Sequence, residues 1–205
     1  MGKLMIVNGS PRAPKSNSKQ YIALFRAFWQ EPAAEYNVTL KEHVQICEDL
    51  DQYSDLLFVF PLYADGIPVT LMGFLETLAE CPLQKKPAVH VMINCGFLEP
   101  EQNLVAIDML RLFCRQNHFP LGAVLCIGSG EAILKTPFVF LVKRKIRKLS
   151  RAIQKGIYGL WKVTMPLPKN TFLKASTKYW IKLGAENGIS PEQMANMEIE
   201  DSHFS

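Results

Sequence analysis

The sequence predicts a doubly wound α/β domain with five parallel strands in the order 2-1-3-4-5, followed by a C-terminal helical extension. Three observations lead there. Five short apolar runs alternate with helix-period segments through the first two thirds of the 205 residues. The runs are apolar throughout instead of alternating, as strands covered on both faces are. Right-handed crossovers then leave few ways to wind such a sheet.

The first run, Lys3-Leu4-Met5-Ile6-Val7-Asn8, reads as a buried strand ended by Gly9-Ser10-Pro11. From Ser18 the period changes: Tyr21, Leu24, Phe25, Phe28 and Trp29 share one helix face, and Pro32 marks its end. Residues 36–44 form a weaker second strand. Leu56-Leu57-Phe58-Val59-Phe60 is the third, closed by Pro61, with a loop to Pro68 and a helix over 70–80. Residues 88–94 make the fourth strand, stopped by Cys95-Gly96. Leu104, Ile107, Leu110 and Phe113 stripe the next helix, and residues 122–127 make the fifth strand before Gly128-Ser129-Gly130.

From about Phe138 the chain changes character. Val142, Ile146, Leu149, Ile153 and Ile157 form an apolar stripe. Between them lie Lys143, Arg144, Lys145, Arg147, Lys148, Arg151 and Lys155, with no acidic residue among them. This is one long helix, broken at Pro166 and Pro168. A further helix spans 173–186, ended by Asn187-Gly188, and Ser190 caps a short last one that starts at Pro191. The main domain is read as residues 1–160 and the helical extension as 161–205.

Composition limits the function classes. The chain is 48% hydrophobic and 20% charged with a net charge of +4, as ordinary soluble globular proteins are, so global disorder is not expected. No basic and apolar leader precedes the first strand. The apolar stretch 120–142 holds Glu131, Lys135 and Pro137, so it reads as strand, loop and helix start rather than a bilayer span. No stable membrane insertion is expected. Cys47, Cys81, Cys95, Cys114 and Cys126 form no C-x-x-C pair and are odd in number, which predicts free thiols and a cytoplasmic location. His43, His90, His118 and His203 have no metal-ligand spacing, so no metal site is expected.

Three loops could carry chemistry, each at the carboxyl end of a strand. The first, Gly9-Ser10-Pro11-Arg12-Ala13-Pro14-Lys15-Ser16-Asn17-Ser18, precedes a helix N-terminus. Free backbone N–H groups and a partial positive charge favour a phosphate there. Ser10, Ser16, Ser18 and Asn17 add donors, and Arg12 and Lys15 add charge. The glycine spacing matches neither a dinucleotide fingerprint nor a P-loop. The plain alternative is a polar loop whose Ser16 or Ser18 only caps the helix. The second loop is Pro61-Leu62-Tyr63-Ala64-Asp65-Gly66-Ile67-Pro68. In the 2-1-3-4-5 order it shares the switch-point crevice with the first loop. Tyr63 suits packing against a ring system, or is a rim tyrosine. The third is Asn94-Cys95-Gly96-Phe97, whose backbone could reach the polar side of a ring. With no histidine near it, Cys95 reads as a small buried thiol rather than a nucleophile.

The run Val7-Asn8-Gly9-Ser10-Pro11-Arg12 with Ser16-Asn17-Ser18, then Pro61-Leu62-Tyr63 and Pro68 behind the third strand, resembles the flavodoxin-like NAD(P)H-dependent FMN reductases, a family that includes quinone and azo-compound reductases. The likeness covers about residues 1–130. It implies FMN held noncovalently, with its phosphate in the loop of Ser10, Arg12, Ser16, Asn17 and Ser18. Its ring would lie by Pro61, Leu62, Tyr63, Ala64, Asp65 and Gly66 and by Asn94, Cys95, Gly96 and Phe97. It also implies NAD(P)H as co-substrate, a small-molecule electron acceptor such as a quinone or free flavin, and a homodimer. The flavin carries the chemistry in such enzymes, so no catalytic side chain is named. The segment 36–56 lacks the cysteine cluster of the iron–sulfur members, and the chain beyond 138 lies outside the common core. Two other readings stay open: a flavodoxin-like electron carrier, against which the pI of about 8.8 argues, and a domain of this fold that binds no flavin. The basic residues 143–155 could attract nucleic acid, an anionic membrane surface or the 2′-phosphate of NADPH, but charge runs usually mark a solvated face. Without interleaved aromatics, no nucleic-acid partner is expected. The tail, with Tyr179 and Trp180, is expected to join a dimer interface or cover the cleft.

Overall fold

Six strands, not five, hydrogen-bond into one parallel sheet. In the computed structural model, which describes residues 3–39 and 43–195, the strands are β1 (Leu4–Asn8), β2 (Ala33–Asn37), β3 (Asp55–Pro61), β4 (Ala88–Asn94), β5 (Leu121–Ile127) and β6 (Gly159–Val163). Their order is β2-β1-β3-β4-β5-β6. Every neighbouring pair is parallel. The expected order of the first five stands, and β6 corrects the strand count. Gly159-Leu160-Trp161-Lys162-Val163 is an edge strand in which only Val163 is buried. It lacks the continuous apolar signal of a central strand, which is why the five-strand reading passed over it.

Five helices cover this sheet: α1 (Asn17–Arg26), α2 (Val44–Leu50), α3 (Val69–Glu80), α4 (Leu104–Gln116) and α5 (Val139–Gln154). A 3-10 turn, Pro100–Asn103, leads into α4. Alternate strand residues such as Met5, Val7, Phe58, Phe60, Val91 and Ile93 join one core with Leu50 of α2, Leu71, Phe74 and Leu78 of α3, and Ile107 and Leu110 of α4. Their neighbours along the strands, Leu4, Ile6, Leu57 and Val59, are equally buried. α1 packs against α5 and β3, and α5 against β5 and β6. The stripe of α5 (Val142, Ile146, Leu149, Ile153) therefore covers the chain's own sheet. Ile157 does not belong to it: it lies past the helix and is 51% exposed.

Other expectations are corrected locally. The second strand is Ala33–Asn37 rather than 36–44, and the unpredicted α2 begins at Val44. Pairing with β1 selects Ala33-Ala34-Glu35-Tyr36-Asn37 over its weak strand propensity. Glu35 is then held by Lys19 and Arg26 of α1. α1 stops at Arg26, yet Trp29 still stacks on Phe25, ring centroids 5.5 Å apart. Five free thiols were expected, but Cys47 of α2 and Cys81 after α3 form a disulfide across 34 residues, with Cα atoms 5.5 Å apart. No local spacing could reveal a pair that only the α2–α3 packing brings together. Cys95, Cys114 and Cys126 are free and buried.

The chain divides into two compact units, Met1–Met165 and Pro166–Ser205; the sequence reading put the boundary after 160. The second unit contains α6 (Lys169–Glu186) and α7 (Pro191–Ala195). Ser190 caps α7, its Oγ accepting from the Gln193 N–H at 3.2 Å. His203 lies outside the described residues. Among those described, no helix is long and apolar enough to cross a membrane, and no three His, Cys, Asp or Glu side chains gather where they could hold a metal ion.

Candidate functional site

The first loop leaves β1 pressed against its neighbours. A Cβ on Gly9 would meet Leu71 Cδ2 at 2.8 Å and Phe60 Cβ at 3.0 Å, so a larger residue there would have to displace the buried Leu71 side chain. Its N–H donates to the Val59 carbonyl at 2.9 Å. The Ser10 N–H donates to Asn8 Oδ1 at 3.3 Å, and Ser10 Oγ accepts from the Arg12 N–H at 3.3 Å. Ser16 is the N-cap of α1, its Oγ accepting from the Lys19 N–H at 3.2 Å. Asn17 Oδ1 accepts from Gln20 Nε2 at 3.2 Å. Ser18, in the first turn, is different. It is 1% exposed, and its hydroxyl has no hydrogen-bond partner. An unsatisfied buried hydroxyl costs stability unless something else fills its valence.

The second loop is a two-residue hairpin. The Tyr63 N–H donates to the Gly66 carbonyl at 3.1 Å, and the Gly66 N–H returns a bond to Tyr63 at 3.0 Å. Ala64 and Asp65 both have positive φ, 45° and 58°, as a turn matched to strand twist requires. For an alanine that conformation is strained. The hairpin leaves Tyr63 60% exposed. The Leu62 N–H donates to the Asn94 carbonyl at 2.7 Å, tying the second loop to the third.

In the third loop Asn94 Nδ2 donates to the Phe60 carbonyl at 3.1 Å. The Cys95 thiol points inward, between the carbonyls of Phe97 (3.8 Å) and Glu99 (3.7 Å), and accepts from Asn103 Nδ2 at 3.4 Å. Burial pushes its pKa up, which keeps it a thiol. It is not an activated nucleophile. Tyr21 of α1 fastens the first loop to the segment after β5 by donating to the Gly130 carbonyl. Burial, and secondarily Cys95, raises its pKa, so it stays a neutral donor.

The three loops enclose one cleft of about 760 Å³. Ser10, Arg12, Ser16, Asn17 and Ser18 line it from the first loop; Pro61, Leu62 and Tyr63 from the second; Asn94, Cys95 and Gly96 from the third. Ala64, Asp65, Gly66 and Phe97 are not part of its lining. Lys15, expected to add charge there, lines it with Pro11 and Pro14 of the same loop; Lys19, Gln20, Ala23 and Glu131 line it too, without having been chosen from the sequence. Lys19, Gln20 and Ala23 lie within two turns of Ser16 on α1, and Glu131 follows the carboxyl end of β5. That end faces the same edge of the sheet, which is the signal that could have found it.

No family model and no curated protein matches this chain. Solved structures do. An NAD(P)H:quinone oxidoreductase from Methanothermobacter marburgensis is 12% identical, with a TM-score of 0.56 over 75% of this chain and 98% of its own. An NADH:FMN oxidoreductase in its apo form is 14% identical, with a TM-score of 0.55 over 74% of this chain and 89% of its own. A flavodoxin from Streptococcus pneumonia TIGR4 is 14% identical, with a TM-score of 0.55 over 75% and 99%. These neighbours agree with the resemblance read from the motifs. At such identities what they show is the fold: a flavodoxin-like α/β domain with a parallel sheet.

Proposed function

We propose that the chain is an FMN-dependent oxidoreductase that takes a hydride from NAD(P)H and passes electrons to a quinone, a free flavin or a similar aromatic acceptor. The observation that carries this reading is Ser18. A buried hydroxyl without a partner, in the first turn of α1 and lining a cleft of mononucleotide size, fits a phosphate oxygen. The free N–H groups of that turn add donors, and Arg12 and Lys15 add positive charge beside it. Bound FMN would supply the hydride and electron transfer. The protein's part is positioning. Ser18, Asn17 and the α1 N-terminus would hold the phosphate, and Leu62, Tyr63, Cys95 and Gly96, which line the rest of the cleft, would take the ring.

The neighbours named for NAD(P)H, FMN and quinone support this over the carrier reading, although a flavodoxin stands beside them. A homodimer belongs to the same proposal; the cytoplasmic location, expected from free thiols, loses that ground to the Cys47–Cys81 disulfide. Val69 and Met72 of α3 and Val105, Met109 and Leu112 of α4 are exposed, which gives a second copy an apolar surface to cover. The test is anaerobic mixing of FMN-loaded protein with NADH or NADPH. Bleaching of the flavin spectrum, restored by a benzoquinone, is expected. A spectrum that neither nucleotide changes would exclude the reductase and leave the carrier.

A further inference from the structure

We propose that the outer face of α5 and the apolar segment behind it form a peripheral docking surface for an anionic lipid bilayer. Between Glu131 and Glu186 the chain carries thirteen lysines and arginines and no acidic residue. The other ten cations share the rest of the chain with all nineteen Asp and Glu. The modest net charge of +4 thus hides a strongly basic segment in an otherwise acidic protein.

The helix decides where these charges point. Val142, Ile146, Leu149 and Ile153 face the sheet, so Arg144, Arg147 and Arg151 project from the opposite side with Lys148 and Lys155, all exposed. Among the described residues no carboxylate lies within ion-pair distance of the cations at 143–155. Arg147 sits 4.9 Å from the Phe28 ring centroid and Lys148 5.0 Å from that of Trp161, which hold them in place without neutralising them. Phe140 precedes Arg144 by one helical turn in the same row and is 58% exposed. Past Lys155 the chain turns at Gly156, φ +60°, and exposes Ile157, Tyr158 and Leu160. The second unit, taken by itself, has the same mixture. On α6, Lys174, Lys178 and Lys182 recur at four-residue steps, and Leu173, Trp180 and Ile181 are exposed.

Clustered Lys and Arg are attracted to anionic headgroups, and Phe, Tyr, Trp, Leu and Ile enter the headgroup–acyl boundary beside them. A nucleic acid would use the cations but offers nothing to the exposed isoleucine and leucine side chains. The bilayer uses both. With no described helix fit to cross a membrane, the attachment is to its surface.

The test is co-sedimentation with vesicles, which needs no flavin, so its outcome and that of the cleft reading are independent. The chain is expected to bind vesicles of phosphatidylglycerol and phosphatidylcholine, to ignore phosphatidylcholine alone, and to be released by salt. Replacing Arg144, Arg147 and Arg151 by Glu should weaken partitioning about a hundredfold. Phe140→Ser with Tyr158→Ser should weaken it roughly tenfold at unchanged charge. Circular dichroism melts of both variants check that they fold; if the charge variant does not, the lipid and salt dependence of the unaltered chain decides. Equal partitioning onto the two vesicle types would overturn the proposal. So would tight, salt-sensitive binding to a DNA or RNA duplex with no vesicle binding, which would assign the surface to nucleic acid.

Discussion

Ser16 and Ser18 look alike in the sequence and differ in the structure. Ser16 already spends its hydroxyl on the α1 cap, whereas Ser18 has a buried hydroxyl and no partner. Their alanine variants should therefore separate. Ser16→Ala is expected to lower stability by about 1 kcal/mol, measured by urea unfolding. Ser18→Ala is expected to leave the stability of the flavin-free chain unchanged or raise it, and to weaken FMN binding by about 1–3 kcal/mol, the worth of a hydrogen bond to a charged group. Loss of stability with unchanged FMN affinity for Ser18→Ala would make it a packing residue. The motif was legible from the sequence; which serine stays uncommitted was not, because that depends on the burial of one helical turn.

A second pair at this scale was not legible at all. His90 is buried on β4, with Nδ1 accepting from the Ala123 N–H at 2.9 Å and Nε2 lying 2.9 Å from Asp55 Oδ1. That arrangement puts the proton on Nε2 and makes it the donor. Burial alone would raise the Asp55 carboxyl, but hydrogen bonds from His90 and Ser54 outweigh it and hold the pKa below its ordinary value. A depressed carboxylate stabilises the fold above its unfolded-state pKa, and that contribution is lost as pH falls through the folded value. Asp55→Asn should thus be less stable than the unaltered chain at neutral pH, and the gap should close in acid. A gap independent of pH in unfolding curves would contradict this account. Gly122 belongs to the same site, since a Cβ there would overlap the His90 ring.

At the scale of elements, periodicity located what was buried on both sides and failed at the edges. β4 was read with its observed ends, and Ile107 and Leu110 of the α4 stripe and Val142, Ile146, Leu149 and Ile153 of the α5 stripe are buried. β2 and β6 pair on one side only, carry weaker apolar patterns, and were misplaced or missed. The Cys47–Cys81 disulfide is the other long-range feature. Thiol titration of the unreduced protein is expected to find Cys95, Cys114 and Cys126 and not five thiols. Cys47→Ser should cost about 2–4 kcal/mol, because the bond closes a loop across 34 residues in the unfolded chain. Five reactive thiols in denaturant, or an unchanged melting curve for the variant, would contradict the pairing.

For the whole molecule, topology makes the site. The direction of the winding reverses between β1 and β3, so the loops after these strands open outward side by side, and the loop after β4 closes the cleft. The solved structures compared above run almost their full length along this chain but leave about a quarter of it unmatched. The fold alone does not separate an enzyme from a carrier. What separates the flavin readings from a flavin-free domain is phosphate recognition in the first loop. A fluorescence titration of the purified chain with FMN and with riboflavin measures it directly. FMN should bind at least about tenfold more tightly, since only FMN carries the group that Ser18 and the α1 N-terminus address. Equal affinity for the two, or binding of neither, would contradict the account.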